Sequence, residues 1–414
     1  MPFSRRSFLN STAPGAFMTT LLPGLKVAFA ADAAVVPRDI LVVVFLRFGS
    51  DGLTLIPPAD DADYHQARPT LAIPASGSGA ALPLGVLNGV QFFANPNMPE
   101  IKALYDAKEL AIVHAAGLPT ESRSHFVSQE LMERGISDGE KQLAGGWIGR
   151  HLTARKLIFP GLGAISTNPE VDVSLQGYIN AIAVPDITRF DVVGGETNLR
   201  VIEGLNVGSE AHVTSARATV ETIRNIKANL LSLPKVAGNP SGYTNGALST
   251  SLRGLADIIK ANVGLEVATV DFGGWDHHAN LMNFFGGNAR ELSAALYAFW
   301  TDMKDFRHRL TIVTMTEFGR RVQENANAGL DHGSASVMMA LGGNVNGGRI
   351  YGQWPGLKAA DLQTGDLRVT TDYRRVLQEI LAKRRGETTP REVFPTLAYQ
   401  PLAIIRGEDS AVRF

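Results

Sequence analysis

The chain contains no cysteine, which removes disulfides, thiolate metal sites and a cysteine nucleophile in one step. A surplus of one charge is missing too. Lys and Arg number 39 against 40 Asp and Glu, a formal net charge of −1. Without a basic footprint, nucleic-acid binding is set aside. No apolar run approaches the ~20 residues that span a bilayer. The lack of disulfides does not argue for the cytoplasm. A chain of 414 residues, 45% of them hydrophobic, has material for a core that is stable in an oxidising compartment without them.

Glycine, by contrast, is plentiful, with 42 residues. Many follow apolar runs, where α/β proteins turn from strand to helix and where backbone comes close to ligands. The runs "ILVVVFL" (40–46), "LAIV" (110–113), "LEVATV" (265–270), "LTIVTM" (310–315) and "VMMAL" (337–341) read as buried strands. Their hydrophobicity is continuous rather than alternating, which predicts a sheet covered on both faces and mainly parallel. Between them, Leu248, Leu252, Leu255 and Ile259 recur at helical spacing, as do Leu292, Leu296, Phe299 and Met303. Val376, Leu377, Ile380 and Leu381 form a shorter stripe behind Thr371-Asp372, which reads as an N-cap. These stripes are core packing. The alternation predicts one α/β domain over residues 31–414, with a smaller insertion or cap at about 166–245, where periodicity is patchy and turn residues are many.

At the N-terminus, "SRRSFLN" (4–10) precedes a weakly apolar stretch that ends in Ala28-Phe29-Ala30. This resembles a twin-arginine export signal covering residues 1–30. It implies passage through the twin-arginine translocase and a periplasmic or secreted mature protein with no stable membrane span. Proteins on this route cross the membrane folded, consistent with a cofactor inserted beforehand.

In an open parallel sheet, ligands bind beyond the C-terminal ends of the strands. Arg47, Ser50 and Asp51 follow the first run. His114 and the loop with Ser122, Arg123, Ser124 and His125 follow the second. Asp271, Asp276, His277 and His278 follow the third, Thr316 and Glu317 the fourth, and Asp331 and His332 lead into the fifth. Such oxygen and nitrogen donors suit zinc, manganese, magnesium or calcium. Hydroxyls and Arg123 at a helix start suit a phosphate or sulfate group. Each residue also has a plainer reading. Asp51-Gly52 and "DHG" (331–333) are turn compositions, Ser122 or Ser124 an N-cap, His277 a solvent-facing neighbour, and Glu317 to Arg320 a salt-bridged strand end.

Taken together, "FLRFGSDGL", "SRSHF", "GGWDHHAN", "TMTEFGRRVQENANAGLDHGSASVMMALGG" and "DLRVTTDYR" resemble the twin-arginine-exported bacterial family labelled domain of unknown function 1501. That family is similar at fold level to alkaline phosphatases and sulfatases. The resemblance runs over roughly residues 38 to 405 and implies a doubly wound sheet with a two-metal site. By position, Asp51 matches the metal ligand after the first strand. Asp276 and His278 match the next ligand loop, and His332 the late histidine. "TMTEFG" departs from the pattern, with Glu317 in place of an Asp and Phe318 where a His would ligate. Ser122 and Ser124 are the nucleophile candidates, with Arg123 and His125 beside them. The implied function is a metal-dependent hydrolase or transferase of phosphate or sulfate esters. The alternative is a non-catalytic cell-envelope binding or assembly protein on the same fold, and calcium held for stability alone is a third reading.

Overall fold

The computed structural model describes residues 38–409 apart from 121, 138–143, 156–161, 188–189, 192–193, 209–210, 235–238 and 388–389. The export signal expected at residues 1–30 lies outside them. Eleven strands are described: β1 (Ile40–Leu46), β2 (Leu82–Leu87), β3 (Val90–Ala94), β4 (Leu110–Gly117), β5 (Ala164–Ser166), β6 (Ala181–Ala183), β7 (Val267–Phe272), β8 (Leu310–Met315), β9 (Ser336–Gly342), β10 (Arg349–Tyr351) and β11 (Thr371–Asp372). Nine form one sheet in the order β10-β4-β9-β8-β1-β7-β5-β6, with β11 also on β4. β2 and β3 form a separate hairpin.

All five apolar runs read from the sequence are strands of this sheet. Its pairings are parallel except those of β9, which runs against β4 and β8. The strands are apolar throughout because both faces are covered. Val42, Val44 and Leu46 point into one core with Leu248, Leu252, Leu255, Leu292 and Leu296. These leucines come from the helices Ala247–Lys260 and Leu281–Asp302. Leu41, Val43 and Phe45 point the other way, toward Leu131, Trp147, Val376 and Ile380. The helices His125–Arg134, Trp147–Ala154 and Tyr373–Arg384 supply that second layer. Asp372 caps the last of these by accepting from the Arg374 N–H. Among the described residues, no helix is long and apolar enough to cross a membrane.

The stretch 166–245, read as an insertion or cap, contributes β6 to the sheet edge. Its helices Gly195–Leu205 and Ala211–Ser232 bury Leu199, Ile202, Val220 and Ile223 in a small cluster of their own.

The direction of β9 matters for the site. Because it is antiparallel, its first residue lies at the edge where β1, β4, β7 and β8 end. The loop entering β9 therefore meets the loops leaving the other four.

Two ion-pair clusters stand at that edge. Asp51 is 2% exposed and Arg68 fully buried. Arg68 Nη1 and Nη2 donate to the two carboxylate oxygens of Asp51 at 2.5 and 3.1 Å, and Thr54 Oγ1 adds a bond of 2.5 Å. Asp51, expected among the metal ligands, is thus spent on an internal pair. Arg68 also donates to the carbonyls of Arg321 and Val322, which ties this pair to the loop after β8. On the other face, Arg47 makes two bonds to Glu133, at 2.9 and 3.1 Å, and pairs with Asp271 at 2.9 Å. Asp172 is 3.9 Å away. Val43, Phe45, Trp147 and Met315 complete a small cavity around this cluster. Burial pushes the Asp271 carboxyl up to about 6; Arg47 opposes the rise, and Asp172 and Glu133 add to it.

Removing one partner of a buried pair leaves an uncompensated charge, which costs about 3–5 kcal/mol. Arg68→Met should lower stability by that order in urea denaturation, and adding Asp51→Asn should restore most of it. Asp271 carries the opposite sign of linkage. Its carboxyl keeps its proton to higher pH in the folded than in the unfolded chain. Ionising it inside the fold therefore costs nothing below about pH 4 and its full amount above about pH 6. Asp271→Asn removes that cost, so the variant should gain on wild type by roughly 3 kcal/mol between those limits. A stability difference that does not change with pH would contradict this account.

Candidate metal centre

Four side chains from three loops converge where these strands end. His125 opens the helix that follows β4, Asp276 and His278 lie in the loop after β7, and His332 lies in the loop entering β9. Donor atoms of His125, Asp276 and His332 all lie within 4.8 Å of one another, a spacing that a single cation can bridge. Asp276 Oδ1 is 3.5 Å from His125 Nε2, 3.4 Å from His332 Nε2 and 3.1 Å from His278 Nε2. The last two nitrogens are 2.9 Å apart.

The far side of each ring explains why these atoms face inward. His125 Nδ1 bonds Glu317 Oε1 at 2.7 Å, His332 Nδ1 the Arg123 carbonyl at 2.7 Å, and His278 Nδ1 Asp331 Oδ1 at 3.1 Å. A carbonyl or carboxylate oxygen only accepts, so each Nδ1 carries the hydrogen. In the neutral ring each Nε2 would then present a lone pair; the three Nε2 atoms gather around Asp276 Oδ1, and that of His278 also stands 3.4 Å from Arg320 Nη1. Two lone pairs 2.9 Å apart repel unless a cation or a proton stands between them. Orientation of the remote nitrogen by carboxylate or carbonyl is how metal-ligating imidazoles are held. His125 Nε2 is buried and has no hydrogen-bond partner, as a ligand atom would be.

Glu317, expected as a ligand, stands behind His125 and bonds its Nδ1. It is fully buried, and its carboxylate also accepts from the Phe48 N–H at 2.8 Å and Gln129 Nε2 at 2.9 Å. Burial pushes its carboxyl up, but the bonds from His125 and Gln129 outweigh it and hold the group below its ordinary value. Asp276 behaves alike: desolvation raises it, and the hydrogen bond and charge of Arg320 bring it below the ordinary range. His332 is shifted down, chiefly by burial.

Arg123, expected as an anion contact, clamps His332. Its guanidinium donates to the His332 carbonyl at 3.0 Å and to the buried Asp366 at 2.6 Å. Ser124 holds the N-cap position of the His125 helix but makes no side-chain cap bond. Ser122 Oγ accepts from the Ser124 N–H at 3.4 Å. His277, expected to face solvent, is 6% exposed, with its ring 5.6 Å from that of Phe285.

Arg320, read from the sequence only as part of a salt-bridged strand end, is a further participant in the site. It is 1% exposed. Nε donates to the Gly49 carbonyl, Nη1 to Leu330, and Nη2 to Phe48, Trp275 and, at 2.7 Å, Asp276 Oδ1. These bonds hold the chain after β1 in a tight curl, with Phe48 at φ +78° and Gly49 at φ +69°. The left-handed region costs a non-glycine residue about 1–2 kcal/mol, and at Phe48 the bonds from Arg320 and to Glu317 offset that cost. At Gly49 a Cβ would come within 2.8 Å of the Phe318 ring.

No curated protein matches the chain in sequence. Among solved structures, it is similar to the C-terminal periplasmic domain of EcEptC from Escherichia coli in complex with Zn, at 8% identity over 76% of each chain and a TM-score of 0.32. It is similar to alkaline phosphatase from the Antarctic bacterium TAB5, at 10% identity over 76% of this chain and 95% of that one, with a TM-score of 0.33. A third is the lipoteichoic acid synthase LtaP from Listeria monocytogenes, at 11% identity over 86% and 80%, with a TM-score of 0.33. These are distant likenesses of fold. Asp276, His278, Glu317, Arg320, Asp331 and His332 all fall within residues 223–396, the segment that matches the family described as "Protein of unknown function (DUF1501)".

Proposed function

We propose that the protein is an exported, metal-dependent hydrolase or transferase acting on phosphate or sulfate esters. The observation that carries this reading is the convergence of three imidazole Nε2 atoms on one carboxylate oxygen, each ring held from behind by an acceptor. His125, Asp276, His278 and His332 are the proposed ligands. Three nitrogens and one oxygen favour a transition-metal cation of the zinc kind over calcium or magnesium. When bound, such a cation would act as a Lewis acid on a phosphoryl or sulfuryl oxygen.

The chain's own residues supply the rest. Glu317, Asp331 and the Arg123 carbonyl fix the three tautomers. Arg320 keeps Asp276 ionised. The side chains of Asp276 and His278 are 42% and 45% exposed, so the cluster is open to substrate on that side and closed by Phe318 on the other. Ser122 and Ser124, in the loop entering the His125 helix, are the hydroxyls offered as nucleophile. Export through the twin-arginine translocase, from the pattern at residues 1–30, belongs to the same proposal. Changing Arg5 and Arg6 to Lys should leave the precursor in the cytoplasmic fraction.

The second reading, a binding protein on this fold, is favoured by one feature: Phe318, not a donor, packs against two of the proposed ligand rings. Metal content of the folded, exported protein by plasma mass spectrometry, followed by an ester panel, separates the two. The enzyme reading expects bound transition metal, at least about tenfold weaker metal retention in Asp276→Ala and His332→Ala, and turnover that falls with it. Bound metal without turnover of any phosphate or sulfate ester would favour the binding protein. Background metal after supplementation would sink the metal reading.

A further inference from the structure

The resemblance to alkaline phosphatases implies two metal ions, and the donors for a second do not fit this chain. Resting on the metal reading above, we infer that the site takes a single divalent cation, with Arg68, Phe318 and Arg320 excluding another.

Asp51 is the first obstacle. Both its oxygens are bonded to Arg68, and Thr54 adds a third donor. Freeing them for a metal would strand a fully buried guanidinium whose remaining partners are all uncharged, the Thr54 hydroxyl and the carbonyls of Arg321 and Val322. Phe318 is the second. Its ring is 3% exposed, with its centre 4.8 Å from that of His125 and 4.9 Å from that of His332. Hydrocarbon fills the wall where another ligand would stand.

Arg320 is the third. Its guanidinium is buried, fixed by four backbone carbonyls, and lies 2.7 Å from the carboxylate that a first cation would share. It is a permanent positive charge beside the cluster, and it raises the cost of each further cation placed there. Among the described residues, His125, Asp276 and His332 form the one group of three or more such side chains with metal-holding geometry.

The test is to count metal in the full exported protein, loaded with Mn(II) or Zn(II) and read by native mass spectrometry. Electron paramagnetic resonance of the Mn(II) form is the second readout. One equivalent and an uncoupled six-line manganese signal are expected. Asp51→Asn should keep that equivalent, with affinity changed less than about twofold, while Asp276→Asn should weaken binding by about tenfold or more. Two equivalents with an exchange-coupled signal, or loss of an equivalent in folded Asp51→Asn, would overturn the inference and leave the metal reading standing. No bound metal at all would overturn both. Should Asp51→Asn fail to fold, the wild-type count and spectrum decide alone.

Discussion

The buried guanidinium of Arg320 joins the loops that make the candidate site. It bonds the carbonyls of Phe48 and Gly49 after β1, the Trp275 carbonyl and Asp276 carboxylate after β7, and the Leu330 carbonyl before β9. Arg320 itself follows β8. Three loops distant in sequence thus share one rigid, planar group whose donors leave in fixed directions. Without it, four carbonyls and the Asp276 carboxylate would each lose a donor. The left-handed Phe48-Gly49 curl would lose one of its restraints.

Around that hub, the side chains act in layers. The imidazoles face one another, and the groups behind them decide how. Glu317 turns His125, Asp331 turns His278, and Arg123 turns His332 while its own guanidinium is held by Asp366. Glu317 is useful there because it is buried: out of water, its bonds to His125, Gln129 and Phe48 are strong enough to keep it ionised. The arrangement is preorganised, with each ring oriented by protein before any ligand arrives.

Two further ion-pair clusters brace the same loops from either side of the sheet. Asp51–Arg68 ties the segment after β1 to the one after β8. Arg47, Glu133 and Asp271 tie the ends of β1 and β7 to the last turn of the helix that begins with His125. Both place carboxylates and guanidiniums beneath the site without contributing a donor to it. Polar residues at strand ends are therefore of two kinds here, and only contact distances tell them apart.

The sequence by itself determined the five central strands of the sheet, because continuous β-branched apolar runs cannot be satisfied except inside a covered sheet. It determined three helices by their stripes, the Asp372 cap, and the edge at which polar residues gather. Asp276, His278 and His332 were legible as a set because they stand just beyond or before such runs. The partner of each polar group was decided by tertiary structure. Asp51 and Arg68 lie 17 residues apart, and Arg320 meets backbone carbonyls up to 272 residues away; residue type does not encode such distances. His125 was read as a catalytic neighbour and Glu317 as a ligand, and the fold places them as the inner imidazole and its support. The antiparallel course of β9 was equally hidden, since apolar runs carry no sign of direction. Yet that reversal is what brings His332 to the edge where the other strands end.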